Sequence, residues 1–224
     1  NEFPESPKLK LKDVDTGDYI KSIEVNLFQL TAQYKIEEFG DHNEPNCYSE
    51  YAALKYLLPT TNLFKFKSGH PGVARDSRRE NSRVIGQTFC RYFNYYFLDA
   101  EYTAHISSFL GKKLGSEFGN VAVERNGDGD TPDFISADST NGLFLSEAKG
   151  RRKVVSFSDD EFDKWRKQFD RIKILQDGTE LSLKGYILEF AIANENNKLA
   201  NSKLLVEDPW TGGQRADVNP NFVN

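Results

Sequence analysis

Hydrophobic and polar residues alternate along residues 19–36, and this period of two predicts one long strand or two short ones. A short helix is predicted over residues 46–58. Residues 60–82 contain Gly and Pro breakers and are predicted to be irregular. We therefore expect an N-terminal extension, residues 1–75, followed by the main domain, residues 76–224.

The main domain is predicted to begin with helical periodicity and to change to short apolar runs typical of strands. The predicted order is helices at residues 83–98 and 100–114, strands at 120–124, 133–137 and 143–149, a helix from 158 and a strand at 185–194. Asn141-Gly142 is typical of a hairpin turn, and Ser158-Asp159-Asp160-Glu161 of a capping box. This order predicts an α/β fold with a mixed central sheet flanked by helices.

Composition narrows the classes of partner. The 224 residues carry a net charge of −5, so any nucleic-acid site must be a local basic patch rather than the whole surface. Apolar runs are too short for a transmembrane helix, and no membrane partner is expected. Cys47 and Cys90 are predicted to be buried thiols, which fits a cytoplasmic protein, with a secreted effector as the alternative.

Candidate chemistry lies in Thr131-Pro132-Asp133-Phe134 and Leu145-Ser146-Glu147-Ala148-Lys149. If these segments pair in a hairpin, Asp133 and Glu147 can point to the same side of the sheet, and Lys149 shares the face of Glu147. Two carboxylates and the Ala148 carbonyl suit Mg²⁺, while Lys149 would orient or deprotonate a water. The alternative is an ordinary exposed strand face with Asp133 in a turn.

Pro132-Asp133 followed by Glu147-x-Lys149 resembles the PD-(D/E)xK nuclease superfamily, and the αβββαβ order is similar to its restriction-endonuclease-like core. The resemblance implies that Asp133 and Glu147 bind Mg²⁺ or Mn²⁺ and that Lys149 supports phosphodiester hydrolysis. Many members add a Glu on the helix before the first strand. Glu101 is the candidate for this further metal ligand and Glu80 the alternative, although Glu101 equally fits a solvated first-turn carboxylate.

Basic residues lie beside this motif and upstream of it. A basic cluster follows Lys149 and comprises Arg151, Arg152 and Lys153. It is interpreted as positioning phosphates, and the alternative is a solvated strand end. Gln168, on the following helix, either faces the site or lies on the helix surface. The upstream stretch, interpreted as a solvated loop with a DNA contact as the alternative, contains Arg75, Arg78, Arg79 and Arg83.

Asn126-Gly-Asp128-Gly-Asp130 departs from the calcium-binding loop pattern at its sixth and twelfth positions. We expect instead a flexible turn that delivers Asp133, with Asp128 or Asp130 as outer groups of a metal site.

The resemblance thus implies a Mg²⁺-dependent deoxyribonuclease, an endonuclease of restriction, defence, DNA-processing or toxin type. The alternative is a non-catalytic, nuclease-like binding or assembly module in a DNA-processing complex. Because cutting both strands commonly needs two active sites, a homodimer or a larger nuclease complex is expected.

Overall fold

The computed structural model describes residues 8–12, 19–39, 57, 64–67, 74–113, 120–138, 142–196, 199, 201–209 and 216–217. The helices are α1 (Leu27–Phe39), α2 (Arg75–Phe97) and α3 (Asp160–Phe169). The strands are β1 (Lys8–Lys12), β2 (Tyr19–Glu24), β3 (Ala100–His105), β4 (Ala122–Arg125), β5 (Phe134–Asp138), β6 (Gly142–Arg151), β7 (Ile172–Gln176), β8 (Thr179–Glu180), β9 (Lys184–Ala191), β10 (Lys203–Glu207) and β11 (Ala216–Asp217). The predicted α/β class is confirmed.

Most strands belong to one large sheet, whose hydrogen-bonded order is β2-β1-β10-β9-β6-β5-β3, with β11 paired to β6. β1 is parallel to β10, whereas β5 is antiparallel to both β3 and β6, so the sheet is mixed, as predicted. A smaller sheet has the order β4-β7-β8. The strand predicted at residues 120–124 is therefore present as β4, but it lies in this smaller sheet.

Residue contacts divide the chain into two compact units. The first unit comprises Asn1–Tyr92, Ala148–Val154 and Leu188–Val206, and the second comprises Phe93–Glu147, Val155–Ile187 and Glu207–Asn224. The strands β6 and β9 each run through both units. The sequence predicts an N-terminal extension that ends at residue 75 and a main domain after it. The contacts that define the two units do not test this boundary, which stays a prediction.

Aromatic rings form the core of the first unit. Phe89 on α2 stacks on Phe190 of β9, with ring centroids 3.8 Å apart. Phe64 packs edge-on against both rings. Each of these side chains is fully buried, and a buried Phe contributes about 2–3 kcal/mol relative to an exposed one. The contacts fix α2 against β9.

The core of the second unit lies between the sheet and α3. Phe162, Trp165 and Phe169 form the apolar stripe of α3, as the sequence predicts. They belong to one buried cluster with side chains of β5 and β6, namely Ile135, Ala137, Leu143 and Leu145. Because alternate strand residues share a face, these four residues define the face of the β5–β6 hairpin that α3 covers.

The predicted strand over residues 19–36 is correct only for β2, since α1 begins at Leu27. The side-chain Oδ1 of Asn26 accepts the N–H groups of Phe28 and Gln29, at 2.9 and 3.2 Å, and so caps the helix. Leu30 and Tyr34, four residues apart, are buried, whereas Phe28 is 85% exposed. Hydrophobic residues in this stretch also alternate with polar ones, so the sequence pattern favoured a strand over the helix.

The helix predicted over residues 100–114 is wrong, because this stretch begins with β3. Asp99 adopts a φ of 59° after α2, and β3 then pairs with β5 from Ala100↔Asp138 to His105↔Phe134. A short 3₁₀ turn, Ile106–Ser108, follows. Pairing with a strand thirty residues away along the chain overrode the local helical spacing.

Other predictions were confirmed in part. The hairpin of β5 and β6 and the strand β9 lie where expected, whereas α2 starts at Arg75, inside the stretch predicted to be irregular. The helix predicted over residues 46–58 lies outside the described residues except for Leu57. The capping box is wrong: Asp159 precedes α3 without capping it through its side chain. The strands β7, β8 and β10 were not predicted from the sequence.

Cys90 is buried on α2, as predicted, while Cys47 lies outside the described residues. In the described part of the chain, no helix has the length and apolar character needed to cross a bilayer.

Candidate functional site

The β5–β6 hairpin brings two carboxylates opposite each other. Phe134 pairs with Ser146, and continuing this antiparallel register by one residue places Asp133 opposite Glu147. The backbone N–H of Asp133 donates to Oε2 of Glu147 at 3.1 Å. The predicted juxtaposition of these two residues is therefore present.

The side chain of Glu147 lies on the face of β6 that α3 covers, because it follows Leu143 and Leu145 at steps of two. Lys149 lies two residues further along the same strand and has the same orientation. Lys149 is half-buried, and Ala148 between them is buried. The ligand role predicted for the Ala148 carbonyl stays a prediction.

Glu147 is only 1% exposed, whereas Asp133 is half-buried. Removing a carboxylate from water is costly unless a cation, a proton or strong hydrogen bonds compensate the lost hydration. The Asp133 N–H supplies one such hydrogen bond. A buried carboxylate next to a half-buried one is therefore suited to binding a cation.

The turn before Asp133 is anchored by the segment that follows α3. Nη1 of Arg171 donates to the carbonyl of Asp130 at 3.0 Å, and the N–H of Asn126 donates to the carbonyl of Arg171 at 2.7 Å. A methyl group on Gly129 would lie 2.7 Å from Nη1 of Arg171. The turn predicted to be flexible is thus held by hydrogen bonds. Its Asp128 and Asp130 side chains are exposed.

The structure does not bring Glu101 to these carboxylates. Glu101 lies on β3 rather than on a helix, beside the bulge between Ala100 and Tyr102, and its side chain is exposed. Asp133 adjoins the opposite end of β5, where Phe134 pairs with His105. Glu101 and His105 are four residue steps apart along β3, a distance of about 13 Å. The prediction that Glu101 lies on a helix leading into the strand of Asp133 was wrong.

Glu80, the alternative to Glu101, lies on α2 in the first unit. Its carboxylate accepts hydrogen bonds from Arg83, and this interaction lowers the pKa of Glu80. Nη1 of Arg83 also donates to the side chain of Gln87. Glu80 is thus an exposed partner of an arginine on its own helix.

Gln168 belongs to the buried stripe of α3 and is 4% exposed. Its Oε1 atom is buried with no hydrogen-bond partner among the described residues. It lies at the end of α3 that continues to Asp170 and Arg171, the residues that bind the turn before Asp133. The alternative of a surface glutamine is therefore wrong, while contact with nucleic acid stays a prediction.

Of the basic residues after Lys149, Arg151 is the last residue of β6, and Arg152 and Lys153 follow the strand in the first unit. The carbonyl of Arg151 accepts the N–H of Ile192 at 2.6 Å, so the backbone is fixed here. Arg151 and Arg152 are half-buried and Lys153 is exposed.

Two glycines allow α2 to touch β6 beside these residues, a contact that the sequence analysis missed. A methyl group on Gly150 would overlap the carbonyl oxygen of Ser82, and one on Gly86 would overlap the backbone of Gly150. Only glycine leaves room for two backbones this close. The sequence signals for this contact are Gly86 within a helical stretch and Gly150 near the end of a strand.

A groove in the second unit was also missed. It has a volume of about 910 Å³, with Phe169 and Ile172 among its apolar lining residues and Asp163, Asp170 and Glu180 among its acidic ones. Neither Asp133 nor Glu147 lines it. The carboxylate pair is thus separate from this groove.

Within the described residues, no group of three or more His, Cys, Asp or Glu side chains is arranged to hold a metal ion. A divalent cation at Asp133 and Glu147 would therefore need further oxygen ligands from the backbone, water or a substrate. Mg²⁺ commonly binds in this way, with one or two carboxylates and substrate phosphate.

No protein-family model matches the chain, and no match was found among curated proteins or solved structures.

Proposed function

We propose that the chain is a metal-dependent nuclease with a restriction-endonuclease-like core that hydrolyses phosphodiester bonds in DNA. The observation that carries the proposal is the opposition of Asp133 and Glu147 at the end of the β5–β6 hairpin, joined by the Asp133 N–H. Lys149 follows Glu147 on the same face of β6. Burial of Glu147 favours a charged partner over an ordinary exposed strand face.

The order of elements supports the same proposal. Without the smaller-sheet strands β4, β7 and β8, the chain order is helix, three strands, helix and strand, formed by α2, β3, β5, β6, α3 and β9. The first strand of this series is β3 and the first helix is α2. This order is similar to the αβββαβ core that the motif implies.

The donor set fits a hard divalent cation. Asp133 and Glu147 would hold Mg²⁺ or Mn²⁺ through carboxylate oxygens, with the Ala148 carbonyl as a further ligand. When bound, such an ion supplies Lewis-acid stabilisation of the phosphate and lowers the pKa of a water.

The protein groups have separate tasks. Lys149 orients the attacking water or, as the neutral amine, takes up the proton that this water loses. Arg151, Arg152 and Lys153 hold the phosphates that flank the scissile bond. Gln168, buried at the α3 end nearest the anchored turn, offers an amide to the substrate or the water.

A second candidate function is a nuclease-like binding or assembly module without cleavage. The observation that favours it is the lack of a three-residue metal-binding group among the residues that the structure describes. The two candidates differ in whether replacement of Asp133 and Lys149 changes cleavage.

Plasmid cleavage by the purified protein tests the proposal. Supercoiled and linear DNA are incubated with Mg²⁺, Mn²⁺ or EDTA, so that nicking and end digestion are separated. We expect cleavage that requires the metal and is lost in Asp133→Asn and in Lys149→Gln. Glu124→Gln, which removes an exposed strand carboxylate of the second unit, is the control and should cleave normally. Cleavage that survives both site substitutions would contradict the proposed site, and binding without cleavage would favour the assembly module.

A further inference from the structure

We propose that the first turns of α2 and the end of β6 form one basic surface of the first unit, which binds the phosphate backbone of duplex DNA. We call it the α2–β6 basic surface, and its members are Arg75, Arg78, Arg79, Arg83, Arg151, Arg152 and Lys153. The inference extends the proposed function. It rests on that function only in naming DNA, rather than another polyanion, as the bound partner.

The contact between α2 and β6 at Gly150 brings residues 75–83 and residues 151–153 together. The backbone of α2 at Ser82 lies against Gly150, and Arg151 follows Gly150 directly. Arg78 precedes Ser82 by about one helical turn, and Arg75 by about two turns, or about 10 Å. The two stretches, which are separated by about seventy residues of sequence, therefore start from the same contact.

The helical spacing of the arginines gives the surface its shape. Arg75, Arg79 and Arg83 follow one another at steps of four and so lie along one side of α2. All three are exposed, and so is Lys153. The upstream arginines were interpreted from the sequence as a solvated loop, but they belong to a helix that fixes their spacing.

The charge of this surface is opposite to that of the chain. Residues 75–83 and 151–153 contain seven cationic side chains and two acidic ones, whereas the whole chain has a net charge of −5. A concentrated positive patch attracts polyanions and releases their counterions on binding. The acidic remainder restricts this attraction to the patch.

Composition favours nucleic acid over a membrane surface. Residues 75–83 and 151–153 contain no apolar side chain. A peripheral helix that binds a bilayer buries an apolar face among the lipids in addition to its charge. A surface made only of charged and polar groups is suited to phosphates that remain in water.

Fluorescence anisotropy with a labelled DNA duplex in EDTA tests the inference, because cleavage is then absent. The test variant combines Arg75→Gln, Arg79→Gln and Lys153→Gln. The control variant removes the same charge from exposed lysines of the second unit, Lys112→Gln, Lys113→Gln and Lys164→Gln. We expect the test variant to bind about tenfold more weakly, with a salt slope smaller by about 2–3, and the control to bind like wild type.

Three results would overturn the inference: no duplex binding by the wild-type protein, equal binding and salt slope in the test variant, or stronger binding to phosphatidylserine vesicles than to the duplex. Circular dichroism of each variant verifies folding.

The same experiments distinguish a failure of the nuclease proposal from a failure of the basic surface. Duplex binding in EDTA without cleavage in Mg²⁺ would overturn only the nuclease, whereas cleavage with unaltered binding by the test variant would overturn only the basic surface.

Discussion

At the scale of single residues, burial and hydrogen bonding decide which polar groups have special chemistry. Glu147 is buried and accepts the Asp133 N–H, whereas Glu101 is exposed on β3. Both carboxylates were candidates in the sequence, and their spacing along the chain could not separate them. The register of the hairpin does so, since it determines which residues face each other.

Tyr92 provides a prediction about alkaline pH. Burial raises the pKa of Tyr92, and the Asn26 N–H that donates to its hydroxyl oxygen partly opposes this shift. The folded state thus favours the neutral phenol, so its contribution to stability is complete below about pH 10 and is lost as the pH rises through the raised pKa. Tyr92→Phe should show a smaller loss of unfolding free energy above about pH 10 than wild type.

Urea denaturation at a series of alkaline pH values measures this difference. Tyr102→Phe, at a half-exposed position on β3, is the matched control. Identical pH dependence in wild type and Tyr92→Phe would contradict the assignment.

Arg166 allows a comparison between two carboxylate partners. Its guanidinium bonds to Glu207, whose side chain is 6% exposed, and to Asp163, whose side chain is 59% exposed. The hydrogen-bonded Glu207 raises the pKa of Arg166. We expect Glu207→Gln to lower the unfolding free energy by about 1–3 kcal/mol. Asp163→Asn should change it by about 0.5 kcal/mol or less. Equal losses in urea denaturation would refute this ranking.

At the scale of elements, the contact between α2 and β6 determines where the basic residues lie. Ser82 and Gly86 on α2 meet Gly150 on β6 with no room for a side chain. This contact explains two glycines that the sequence shows but does not relate to each other. It also explains why a stretch with a loop-like composition is helical, because the helix is held against the strand.

Gly150→Ala tests this contact. The added methyl group would overlap the Ser82 carbonyl oxygen, so the backbones must separate, and we expect a loss of about 1–3 kcal/mol or more in unfolding free energy. Ser77→Ala, at an exposed position of the same helix, should change it by about 0.5 kcal/mol or less. The contact would be disproved by a Gly150→Ala protein as stable as wild type in urea.

The sequence predicted the elements whose patterns are local. The β5–β6 hairpin follows from two apolar runs, although Gly142, predicted to lie in the turn, is the first residue of β6, and Asn141 lies outside the described residues. The α3 stripe follows from residues spaced at three and four. The sequence did not predict β3, which depends on pairing with β5, nor α1, whose helical face was concealed by alternation. The turn between β7 and β8 was not predicted, although Asp177-Gly178 is a typical hairpin-turn pair; both residues adopt a positive φ.

At the scale of the whole molecule, charge is distributed unevenly. An acidic chain carries a cluster of arginines and a lysine on the first unit, and a buried carboxylate beside a half-buried one on the second. The composition could predict that any nucleic-acid site would be local, but not that two distant basic stretches share one surface. A backbone contact that depends on the fold determines that.

Asp133 and Glu147 are proposed to form a metal-dependent nuclease site. The most direct test is the initial rate of plasmid cleavage in Mg²⁺ by Glu147→Gln beside wild type. Glutamine can still accept the Asp133 N–H but lacks the negative charge, so folding should be preserved while the rate falls by about 100-fold or more. A Glu147→Gln rate within about twofold of wild type, in a folded protein, would show that Glu147 does not belong to a nuclease site.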